Sequence, residues 1–106
     1  MDDVCRTVTR ELRERLRTMY GDRLVKLVLF RPRARGDEVS GSDIDVLVVL
    51  RGQVSPCEEI DRTIEITADI SLEHDVVIAC VFVSEDRFTQ EQSPLMLNVR
   101  REGVAI

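Results

Sequence analysis

Ser42-Asp43-Ile44-Asp45-Val46-Leu47-Val48-Val49-Leu50 places two carboxylates two residues apart at the mouth of an otherwise apolar run. Alternate residues of a strand point to one face, so Asp43 and Asp45 are expected to project side by side. Like charges held that close repel, and the arrangement is costly unless a cation lies between them. Ligands that offer only oxygen suit magnesium or manganese, which are commonly held by one or two carboxylates plus substrate phosphates. A pair of solvated aspartates at a strand end is the alternative. The stretch alone leaves both open.

Working outward, Leu24 to Phe30 is a short, almost wholly apolar run that predicts a buried strand. Between the two strands, Arg31 to Ser42 is rich in charge and turn formers (Pro32, Gly36, Asp37, Gly41) and predicts a loop, with room for one helical turn. Upstream, Val4, Val8, Leu12, Leu16 and Tyr20 recur every fourth residue, with Arg6, Arg10, Arg13, Glu14 and Arg17 on the other side. That periodicity predicts an amphipathic helix stopped by Gly21.

Downstream, Ser55-Pro56-Cys57-Glu58 offers a capping serine, proline in the first turn and a capping-box glutamate. Ile60, Ile64 and Ala68 fit a helix over 56–73. Ile64, Ile66, Ala68, Ile70 and Leu72 alternate as a strand would, but the cap and the length favour helix. Asp75 to Val83 predicts a third strand. Ser93-Pro94 opens a short helix, Leu95 to Arg101, closed by Gly103. Helix, strand, loop, strand, helix, strand, helix is the order of an α/β domain, a small sheet of about three strands covered by helices.

Composition bounds the rest. The 106 residues, 43% apolar and 33% charged, suit one domain (1–106) with a single core. No apolar run approaches the roughly 20 residues a membrane span needs. An acidic start, Met1-Asp2-Asp3, and three cysteines without zinc spacing (Cys5, Cys57, Cys80) point to the cytoplasm, with reduced and mostly buried thiols. His74 is the one histidine, which excludes sites needing several. It reads as a helix-end surface residue, with contact to an acceptor or phosphate as the alternative. Cys80 reads as core. The net charge of −5 hides an uneven split: residues 1–36 carry ten Lys/Arg against five Asp/Glu, and residues 37–106 carry five against fifteen. An acidic chain is a poor general binder of nucleic acid, so a regulator using the basic third is the least favoured reading.

If the helix over 56–73 joins strands two and three, those strands run parallel, and Asp75 starts strand three at the edge where Asp43 and Asp45 lie. An antiparallel first strand ends at that edge too. The loop bearing Arg33, Arg35 and Gly36 would then overhang three aspartates, an arrangement fit for a nucleoside triphosphate with its metal.

Leu29-Phe30-x-x-Arg33-Ala34-Arg35-Gly36-Asp37 followed by Ser42-Asp43-Ile44-Asp45-Val46-Leu47-Val48 resembles the minimal nucleotidyltransferases of the polymerase-beta superfamily. The resemblance extends over essentially the whole chain. It implies transfer of a nucleoside monophosphate with two magnesium ions, Asp43, Asp45 and Asp75 holding the metals and Asp75 helping the acceptor lose its proton. It implies ATP as substrate, contacted by Arg31, Arg33, Arg35, Gly36 and Ser42. It also implies a HEPN-domain protein as partner, since small members of the family commonly serve as antitoxins and some adenylylate the toxin.

One departure stands out: the family's Gly-Ser is replaced by Arg31-Pro32. Proline removes a backbone donor and the hydroxyl, and arginine adds bulk where the backbone should approach phosphate. Gly41-Ser42 lies on the wrong side of the loop to substitute. Either Arg31, Arg33 and Arg35 supply charge in place of backbone donors and activity survives, or the domain persists as a binding partner alone. The intact aspartates favour the first.

Overall fold

A four-stranded sheet in the order β3-β2-β1-β4 forms the middle layer of a computed structural model that describes residues 3–30 and 43–106. The elements are α1 (Asp3–Tyr20), β1 (Leu24–Phe30), β2 (Asp43–Leu50), α2 (Pro56–His74), β3 (Val77–Ser84), α3 (Glu85–Gln90), α4 (Pro94–Glu102) and β4 (Val104–Ala105). A short 3-10 turn, Gly21–Arg23, links α1 to β1, and Gly21 takes the positive φ of 58° that a helix exit of this kind favours.

β1 and β2 are antiparallel, while β2 and β3 are parallel and joined through α2, as expected. β4 adds a two-residue antiparallel pairing outside β1, too short to leave a periodic signal. The side chains of β2 divide cleanly. Ile44, Val46, Val48 and Leu50 enter a core with Val8, Leu12 and Leu16 of α1 and Ile66 and Ile70 of α2. Leu47 and Val49 enter a second core with Val28, Phe30, Val83 and the α4 residues Met96 and Val99. α1 and α2 thus cover one face of the sheet, and α4 covers part of the other. Both cores follow from near-continuous apolar strands that bury two faces at once.

Three expectations need correction. α2 is a helix, but its buried stripe is Glu59, Thr63, Ile66 and Ile70, not Ile60, Ile64 and Ala68. The stripe starts polar because Glu59, 2% exposed, accepts a 2.7 Å hydrogen bond from the Tyr20 hydroxyl and pairs with Arg23 at 3.2 Å. Burial next to that carboxylate pushes the Tyr20 hydroxyl above its ordinary pKa. Second, Ser55 precedes Pro56 as foreseen but makes no side-chain capping bond, whereas Ser93 accepts from the Met96 N–H at 3.3 Å. Third, Ser84 caps a further helix, α3, whose six residues are nowhere fully buried and so carry no apolar period.

Candidate active site

β1 ends and β2 begins at one sheet edge: Phe30 lies opposite Asp45 in the antiparallel register. Asp43 is exposed and Asp45 half-buried, at the first and third positions of β2. By strand alternation both share the face of Leu47 and Val49, the face that α4 covers only further along. This is the common face expected for the pair. Its cause is local: an odd-numbered set that is apolar where α4 packs and acidic where packing stops.

Beside them, β3 is in parallel register, with Val77 opposite Asp43 and Ala79 opposite Asp45. No residue of β3 is ionisable except Cys80, whose thiol is packed toward the α1–α2 core and pushed up to about 12 by burial. A thiol so placed is not a nucleophile at neutral pH.

Asp75 does not start this strand. It closes α2 in the left-handed conformation (φ 54°), its neighbourhood fixed by its own N–H bonding to the Ser71 carbonyl. Aspartate tolerates that conformation better than most side chains. The ligand atoms of Asp43, Asp45 and Asp75 do not all lie within 4.8 Å of one another; among the described residues, Glu11, Glu73 and His74 form such a group. His74 Nε2 is 2.6 Å from Glu11 Oε2, tying the end of α2 to α1. That contact accounts for His74 structurally, at a helix end as expected. Sequence pattern did not reveal the pairing because its partners are 63 residues apart.

Arg31, Arg33, Arg35, Gly36 and Ser42, expected to contact the nucleotide, lie outside the described residues. Asp43 and Asp45 fit a hard divalent cation by the chemistry of their donors: two carboxylates on one strand face, with no nitrogen or sulfur ligand among the described residues of β2 and β3 except the inward Cys80. Among the described residues no helix is long and apolar enough to cross a membrane.

The chain belongs to the nucleotidyltransferase domain family, whose sequence profile matches residues 9–97. It is 35% identical over 89 residues to the "Putative protein adenylyltransferase MJ0604" of Methanocaldococcus jannaschii, covering 83% of each chain. It is 31% identical over 72 residues to a second protein of that organism, "Putative protein adenylyltransferase MJ0141", covering 68% of this chain and 72% of the other. No solved structure matches at a significant level.

Proposed function

We propose that the chain transfers AMP from ATP to a hydroxyl of a partner protein in the cytoplasm, with magnesium or manganese as the ion and a HEPN-domain toxin as the acceptor. The observation that carries this reading is the Asp43–Asp45 pair, on one face at the edge where β1 ends. Family membership and the names borne by the two relatives support it.

The acceptor oxygen bonds to the α-phosphorus of ATP as the bond to the β-phosphate oxygen breaks; pyrophosphate departs and the hydroxyl gives up its proton. Asp43 and Asp45 would hold the cation, which when bound offsets charge on the phosphates and orients them for in-line attack. Arg31, Arg33 and Arg35 would neutralise the remaining phosphate charge, with Gly36 and Ser42 beside them. Asp75 precedes β3 by two residues, about 7 Å of chain, and borders the same edge. We assign it to the acceptor side, where it receives the proton, rather than to a share of the ion.

Incubation with α-labelled ATP, magnesium and a HEPN-domain protein tests this. Label should reach the partner, vanish with Asp43→Asn/Asp45→Asn, and rise with Arg31→Gly/Pro32→Ser. No transfer by either the natural chain or the Gly-Ser variant would overturn it. Asp75→Asn should slow transfer while leaving magnesium-dependent ATP binding in place.

A second reading is favoured by Arg31-Pro32 and by a β3 without carboxylates: a domain that neutralises its toxin by contact alone. It predicts that Asp43→Asn/Asp45→Asn protects cells as well as the natural chain does.

A further inference from the structure

The stripe Ile60, Ile64, Ala68 and Leu72 has the spacing of a core-facing row, yet the fold turns it outward. Ile60 is 45% exposed, Ile64 54% and Leu72 84%, and Ala68 is exposed as well. The inward row is instead Glu59, Thr63, Ile66 and Ile70. Three of the eight large exposed apolar side chains among the described residues therefore line one side of one helix. A contiguous ridge of this kind marks an interaction surface more often than scattered single residues do.

The next position in each turn is acidic: Asp61, Glu65, Asp69 and Glu73 run alongside the ridge, all exposed. Asp69 makes one long contact, 3.4 Å to Arg15 of α1, with both groups largely in solvent. The opposite border carries Thr67 and Ser71. An apolar ridge with a carboxylate row on one flank selects its occupant by charge.

We infer that α2 docks an amphipathic helix of another protein, one whose apolar stripe is bordered by Lys and Arg. A second copy of this chain does not satisfy the ridge. Antiparallel α2 helices would set the acidic rows against each other, and parallel ones would set them against Thr67 and Ser71; the one arginine of α2, Arg62, is already held 3.3 Å from the buried Glu59 of its own chain, and Arg15 of α1 by Asp69. The mode is a helix laid on an apolar seam, with anchors at i, i+4 and i+8. The surface is independent of the nucleotide site and needs neither ATP nor a metal.

The experiment uses the full chain and two labelled three-heptad peptides with Ile and Leu at the seam positions. One has Lys at the flanking positions, and its twin has Glu. Fluorescence anisotropy should show the Lys peptide binding at least tenfold more tightly than the Glu peptide, with affinity falling as salt rises. Ile64→Lys/Leu72→Lys, both at exposed positions that leave the cores intact, should weaken the Lys peptide by tenfold or more. Asp61→Lys/Glu65→Lys should reverse the preference between the peptides. The inference is overturned if neither peptide binds, if both bind equally, or if Ile64→Lys/Leu72→Lys leaves binding unchanged. It is equally overturned if sedimentation shows a dimer of this chain that Ile64→Lys/Leu72→Lys dissociates, since the ridge would then belong to a second copy. None of these readings involves adenylyl transfer, so failure here leaves the proposed activity standing, and the converse holds.

Discussion

The two faces of the sheet are built to different ends. On the α1–α2 face, every inward residue of β2 from Ile44 to Leu50 is buried, so the cover runs the full length of the strand. On the other face the cover stops: Leu47 and Val49 lie at 0% exposure under α4, while two positions back Asp45 is half-buried and Asp43 is exposed. One face supplies stability and the other gives up part of its cover to present carboxylates. The difference teaches where to look in a small α/β domain, namely at the point along a strand where alternation persists but packing ends.

Removing the carboxylates tests that division most severely. Asp43→Asn/Asp45→Asn should cut transfer about a thousandfold or more, ~4 kcal/mol on the barrier. The midpoint of thermal unfolding should hold to within a few degrees, because Asp43 and Asp45 lie outside both apolar cores. A large loss of stability would show the pair to be structural. On the covered face the opposite holds. Leu12→Ala should cost about 3 kcal/mol by urea denaturation, through lost transfer energy and the cavity left beneath α1.

Smaller effects sharpen the contrast around α4. A Cβ at Gly103 would collide with the Val28 side chain and the Val99 carbonyl, so Gly103→Ala should lose about 2 kcal/mol as α4 shifts from its seat. Calorimetric unfolding checks it. Smallest is the difference between two serines that look alike in sequence, each before a proline. Ser93→Ala removes a made cap and should cost about 1 kcal/mol. Ser55→Ala removes none and should be near neutral. Equal costs would show that Ser55 caps α2 in solution.

That pair of serines also shows what sequence can convey. The cap-and-proline pattern correctly announced where α2 and α4 begin, because both helices need a start signal. Which hydroxyl bonds to an amide depends on a rotamer, which composition does not encode. The period of four in α1 was legible at Val8, Leu12 and Leu16, which are buried on a single face, whereas Val4 at the start of the same stripe is exposed. In α2 the apolar row that reads as core is the exposed one, since the inward row opens with Glu59, which receives Tyr20 and Arg23 from a distant element, and Thr63, whose hydroxyl donates to the Glu59 carbonyl. The common face of Asp43 and Asp45 was legible from strand alternation alone. The place of Asp75 was not: strand propensity in Val76 and Val77 extends the apparent strand backwards, while a left-handed cap bonded to Ser71 assigns the residue to α2. α3 and β4 are too short to leave a period.

The claim on which the account turns is that Asp43 and Asp45 together grip a divalent ion and, through it, a nucleoside triphosphate. Titration calorimetry of ATP into the natural chain and into Asp43→Asn/Asp45→Asn, each with and without magnesium, measures it directly. The account predicts heat of binding that requires magnesium in the natural chain and disappears in the variant. Binding of equal strength in all four titrations, or in none of them, would contradict it.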